Sequence, residues 1–199
     1  MDEYNPHKTA IFRSHEKMTR PASWLLEKIL EPREIHPKSI LDFGAGKSYD
    51  AEIWAEKTGS FSQGYDQFPH KGFEERIEKP TQLFDLVTMN FVLNIIDSER
   101  DRISALLEAS SYVAPKGYLW VATRSKNHID SQGVDKGWGV SKHGSWISHP
   151  SKGTIQFGMD DIQIVELVRK CELYEFETIN FRGRPTSTTG CAFFQRKQM

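Results

Sequence analysis

Between residues 38 and 197, short apolar runs alternate with stretches of helical periodicity, and that order admits few folds. KSILDF, FSQGYD, FDLVTMNFVL and KGYLWVATR read as strands. SYDAEIWAEKTG and DSERDRISALLEASSYVA lie between them as helices, the second capped by Asp97 or Ser98. A further helix, MDDIQIVELVRKCE, precedes two closing strands, LYEFETINF and TGCAFFQRK, joined through RGRPTST. Strands separated by helices pair in parallel with helices on both faces, and the closing pair forms an antiparallel hairpin at one edge. Ahead of this domain, expected over residues 38–199, residues 1–37 read as a helical arm. In the arm, SWLLEKILEPRE puts Trp24, Leu25, Ile29 and Leu30 at helical spacing, and Pro32 closes the run.

A chain of 199 residues is long enough for one substantial core. It has no apolar run long enough to span a bilayer and no basic, apolar leader at its start, so a cytoplasmic, membrane-free protein is expected. Cys171 and Cys191 lack metal-ligand spacing, which points to two core residues and no metal site. The net charge of −1 excludes bulk capture of nucleic acid, yet charge is unevenly spread. Lys116, Arg124, Lys126, Lys136, Lys142 and Lys152 face only Asp130 and Asp135 over residues 116–158, and residues 181–199 carry four cations and no acid.

The stretch ILDFGAGKSYD contains GAGKS, which invites a phosphate-gripping loop. That loop needs a glycine five positions before Gly46, and Leu41 stands there. The dinucleotide fingerprint G-x-G-x-x-G also fails, because Tyr49 occupies the last glycine position. What remains is strand, acid, then G-x-G: Asp42-Phe43-Gly44-Ala45-Gly46, with Asp66 closing the next strand. Glycines let backbone approach a ligand closely, and a carboxylate at that spacing accepts hydrogen bonds from a ribose diol.

These motifs in this order resemble the class I S-adenosylmethionine (SAM)-dependent methyltransferases. The resemblance implies an α/β, Rossmann-like fold with a mostly parallel seven-stranded sheet, an antiparallel terminal hairpin and SAM as cofactor. The motifs KTAIFRSHEKMTRP, LDFGAGKSYD, NFVLNIID and KGTIQFG further resemble methyltransferase-like proteins associated with DNA phosphorothioation clusters. Ser48 and Tyr49 depart from that family's more usual Gly and acid. The resemblance implies cofactor contacts from Asp42, Phe43, Gly44, Ala45, Gly46, Asp66, Gln67, Asn90 and Phe91. Residues 67–83 are too few for a helix, a third strand and two connections, so that strand is expected to be degenerate.

The irregular segment 125–158 is expected to be a long loop insertion overhanging the cofactor crevice, because it leaves the carboxyl end of a strand. Arg182 and Arg184 are expected on the same side. With Trp138, Trp146 and Arg13 of the arm they make a positive, aromatic-lined mouth suited to a nucleic acid, a nucleotide or another phosphate-bearing acceptor. His143 and His149 are the candidate bases, chosen by chemistry and position in the segment. The fourth-strand motif Asn90-Phe91-Val92-Leu93 lacks the prolines of exocyclic-amino methylation, and neither cysteine suits cytosine C5 methylation. The expected function is SAM-dependent methyl transfer. The alternatives are a non-catalytic SAM- or nucleoside-binding partner subunit and a nicotinamide-dependent oxidoreductase.

Overall fold

The structure is a computed structural model and describes residues 17–198. Its centre is a six-stranded sheet built from β1 (Ser39–Phe43), β2 (Phe61–Tyr65), β3 (Phe84–Asn90), β4 (Val113–Arg124), β8 (Phe176–Thr178) and β9 (Thr189–Arg196). The strand order is β2-β1-β3-β4-β9-β8. Neighbours from β2 to β4 run parallel, and β9 runs antiparallel to both β4 and β8. The expected edge hairpin is therefore present, with its outer strand reduced to three residues.

Strand alternation divides the interior into two layers. Leu41, Val87, Leu119 and Phe194 point to one face, where α3 (Glu99–Ser111) and α5 (Asp161–Lys170) supply Leu106, Ile164 and Leu167. Ile40, Leu86, Trp120 and Phe193, each offset by one residue, point to the other. There α1 (Arg20–Leu25) and the π-helical turn Leu26–Leu30 contribute Ala22, Leu25, Ile29 and Leu30, and α2 (Asp50–Thr58) contributes Trp54. The described part of the N-terminal arm thus covers one face of the sheet. Ser98 caps α3, and Asp160 with Gln163 forms a capping box at α5.

The main sheet has six strands and not seven, and the third strand is degenerate as expected: residues 67–83 form only a 3-10 turn, Glu74–Ile77. Its charged composition, with Pro69 and Pro80, offers no run to pair along β2 and bury both faces. The segment 125–158 is not an irregular loop. It folds into α4 (Lys126–Asp135) and a separate antiparallel sheet of β5 (Gly139–Val140), β6 (Trp146–His149) and β7 (Thr154–Gln156). Periodicity concealed α4 because Ile129 and Val134 are its only large apolar residues, and only Ile129 is buried. The helix is held from outside instead. Trp146 lies so close to Gly133 that a Cβ there would meet the indole at 2.3 Å, and its Nε1 donates to Asp130 Oδ1 at 2.9 Å. Among the described residues no helix is long and apolar enough to cross a membrane.

Candidate functional site

Parallel strands leave their ligand crevice beyond their carboxyl ends, and here four such ends meet. β1 ends in the turn Gly44-Ala45-Gly46. Both glycines hold positive φ, +72° and +52°. Tyr65 O at the end of β2 accepts from the Gly44 and Ala45 amides at 2.8 and 3.0 Å. Asp66 then closes the turn: its Oδ2 accepts from Gly46 N at 2.7 Å and its Oδ1 from Phe68 N at 2.8 Å. Each oxygen thereby accepts one bond and keeps a further lone-pair direction, and the residue is only half-buried. A ligand carrying a vicinal diol fits that acceptor pair.

Beneath the turn lies a buried carboxylate network. Asp42 is 2% exposed and accepts from Ser48 Oγ at 2.8 Å and Thr88 Oγ1 at 3.0 Å. Asp50, fully buried at the start of α2, accepts from Thr19 N and Thr19 Oγ1, both at 2.6 Å, and from Asn90 Nδ2 at 3.5 Å. Trp120 Nε1 donates to Asn90 Oδ1 at 3.1 Å. Asp50 thereby fastens Thr19, ahead of α1, to Asn90 at the end of β3, while Asp42 ties Ser48, just past the glycine turn, to Thr88 inside β3.

Burial first, and then the Asp50 charge, raise the Asp42 pKa from its ordinary 3.8 to about 7. Between those values the unfolded chain releases a proton that the folded chain keeps, so stability falls as pH rises from about 4 to about 7. Asp42→Asn is expected to flatten that slope in urea unfolding run at a series of pH values. Wild type and variant changing in parallel would overturn the assignment.

At the far side of the crevice Phe91 adopts φ +63°, unusual for a bulky residue, and the Arg124 guanidinium carbon sits 4.6 Å from its ring centroid. The neighbouring Val92 leans over the turn: a Cβ on Gly44 would come within 2.4 Å of Val92 Cγ2.

Asp42, Gly44, Ala45, Gly46, Asp66, Asn90 and Phe91 are thus gathered at one end of the sheet, and Gln67 lies exposed beside Asp66. Phe43 differs from expectation in its side chain, which packs edge-on against Tyr65 in the core. Its position inside β1, where side chains alternate across the sheet, dictates this.

The acceptor-side candidates are more scattered. Trp146 pins α4, and Trp138 lies beside the Lys136 ammonium, 5.3 Å from the ring centroid. His143 is exposed in the β5–β6 turn and His149 at the end of β6; neither bonds to the glycine turn among the described residues. Arg182 is exposed, and Arg184 pairs with Asp161 at 3.5 Å. Their loop packs through Phe181 on Trp24 and Trp120, toward α1. Arg13 lies outside the described residues. Burial pushes the thiols of Cys171 and Cys191 up to about 11 and about 12, which suits core residues and not nucleophiles.

Several residues of the site were missed by the sequence reading, Asp50, Thr19 and Arg76 among them. Arg76, 3% exposed in the segment that replaces the third strand, donates to Gly46 O and to Glu52 Oε1, both at 2.9 Å, and lies over the Phe73 ring. It braces the turn from behind. No periodicity marks it, because the surrounding chain is irregular and only the fold brings residue 76 to residue 46.

A family model described as a methyltransferase domain matches residues 14–156. No curated protein sequence matches the chain. Solved structures share its fold at low identity. It is similar to the Burkholderia thailandensis 1,6-didemethyltoxoflavin-N1-methyltransferase, crystallised with 1,6-didemethyltoxoflavin and S-adenosylhomocysteine. The TM-score is 0.61 with 16% identity, over 90% of this chain and 78% of that one. It is also similar to the N-methyltransferase NodS of Bradyrhizobium japonicum WM9 with S-adenosylhomocysteine, at TM-score 0.55 and 13% identity, over 88% and 85% of the two chains. An S-adenosylmethionine-dependent methyltransferase from Clostridium acetobutylicum gives TM-score 0.62 and 10% identity, over 91% and 92%.

Proposed function

This chain belongs to the methyltransferase domain family, and we propose that it transfers the methyl group of SAM to a nucleic acid, a nucleotide or another phosphate-bearing acceptor. The observation that carries the cofactor half is the Asp66 carboxylate, held by Gly46 and Phe68 amides at the mouth of a glycine turn with acceptor capacity left over. S-adenosylhomocysteine in two of the similar structures supports the same cofactor.

In this reading Asp66 takes the ribose hydroxyls, and the backbone of Gly44, Ala45 and Gly46 lies along the adenosyl group. Gln67 and the exposed Phe68 ring flank the base. Asn90 and Phe91 bound the opposite wall, and Asp42 holds the turn in shape through Ser48. When bound, SAM supplies an electrophilic methyl group, so the chain's own work is to align the acceptor and exclude water. Acceptor contacts are assigned to the basic segments, with Arg13, Trp138, Trp146, Arg182 and Arg184 as candidates. Proton removal, where the acceptor requires it, is assigned to a histidine of segment 125–158, with His143 and His149 as candidates. The narrower likeness to phosphorothioation-associated proteins rests on sequence motifs and favours a nucleic-acid acceptor.

The test is isothermal titration with SAM, followed by radiolabelled methyl transfer from SAM into fractionated DNA, RNA, protein and metabolites of a cell extract. Label entering nucleic acid or phosphorylated metabolites is the expected result. SAM binding with no label in any fraction would make the chain a binding subunit, and tighter binding of a nicotinamide dinucleotide would overturn the cofactor.

A further inference from the structure

Arg124, His128, Gln132 and Lys136 stand four residues apart, from the carboxyl end of β4 along α4. Side chains at this interval follow one another along one helix face, so the last three form a row advancing about 6 Å per step. Every member can donate hydrogen bonds, and none is an acid. The acids of α4 are engaged elsewhere: Asp130 pairs with Lys126 and accepts from Trp146, while Asp135 accepts from Ser131 Oγ at 3.3 Å. His128 and Gln132 are half-buried beside the buried Ile129 and Gly133, so the row forms a wall and not a fully solvated fringe.

The row begins at the crevice. Arg124 lies over Phe91, whose left-handed backbone directly follows β3, and residues held in such strained conformations concentrate at functional sites. Lys136 ends the row beside Trp138. Partial burial, then the charges of Arg124 and Lys136, hold the His128 imidazole below its ordinary pKa. Lys126, Asp130 and Asp135 share its helix, and β6, which packs on α4, ends in His149. A bound anion would offset the part of that lowering that the two cations cause.

We infer that Arg124, His128, Gln132 and Lys136 form the subsite for a phosphate or phosphodiester group of the methyl acceptor, next to the cofactor crevice. The role rests on the methyl-transfer reading; the anion site does not. It is tested on the full chain by NMR titration of the histidine imidazoles, with inorganic pyrophosphate in one arm and a short single-stranded oligonucleotide in the other. Pyrophosphate is expected to raise the His128 midpoint saturably, by about one pH unit or more, as a nearby opposite charge does, while His149 stays put. The exposed-site variant Lys136→Gln should weaken this response with SAM affinity retained, and Lys136→Gln with Arg124→Gln should abolish it. A response to the oligonucleotide at lower concentration would assign a strand as the phosphate source, and the reverse a small phosphorylated molecule. A His128 midpoint unmoved in both arms, or moving equally with His149, would overturn the site. A His128 response in a chain that fails to bind SAM would leave the anion site standing and remove the methyl-transfer reading.

Discussion

Asp66→Ala is expected to weaken SAM binding by at least about tenfold, and by about a hundredfold where both ribose hydroxyls lose their acceptor. A hydrogen bond to a charged group contributes about 1.5–3 kcal/mol, and about 1.4 kcal/mol is a factor of ten in affinity. The carboxylate also fastens Gly46 N and Phe68 N, so its removal loosens the turn that the ligand must meet. The fold should survive, because the site is half-exposed and water replaces the lost acceptor. Asp66→Asn, which keeps one acceptor oxygen without the charge, should fall between. Isothermal titration on folded protein decides it: wild-type affinity in the alanine variant would remove the proposed ribose site.

Gly44→Ala should destabilise the fold by about 2–5 kcal/mol, from two separable causes. An alanine at φ +72° carries a backbone penalty of about 1–2 kcal/mol. The new Cβ would also lie 2.4 Å from Val92 Cγ2, and overpacking of that kind costs about 1–3 kcal/mol. Gly59 provides the control, since it holds φ +68° and an added Cβ there would meet nothing within 4 Å. Gly59→Ala should therefore show the backbone share alone, and adding Val92→Ala to Gly44→Ala should relieve the steric share. Urea unfolding midpoints at constant slope make the comparison. Equal losses in Gly44→Ala and Gly59→Ala would show that Val92 does not press on the turn.

Local chemistry made much of this molecule legible. Gly59 ends α2, Ser98 starts α3, and the runs at 39–43 and 84–90 are too apolar to lie anywhere but inside a sheet. Asp66 was readable for the same reason, since a G-x-G turn after one strand and an acid after the next are brought together by any parallel pairing of the two. Elements that depend on distant partners were not legible. α4 has little apolar stripe of its own and is fixed by Trp146 seated on Gly133, a contact that periodicity does not encode.

The succession of the main-sheet strands along the chain, the glycine turn and the acid that ends the next strand were determined by the sequence alone, because hydrophobic period and backbone sterics act over a few residues. Only the tertiary structure decided that Arg76 braces Gly46 and that Asp50 ties Thr19 to Asn90. The same holds for the row from Arg124 to Lys136 opening at Phe91. Hydrogen bonds and charge pairing between residues distant in the chain depend on positions that exist only once the sheet has closed.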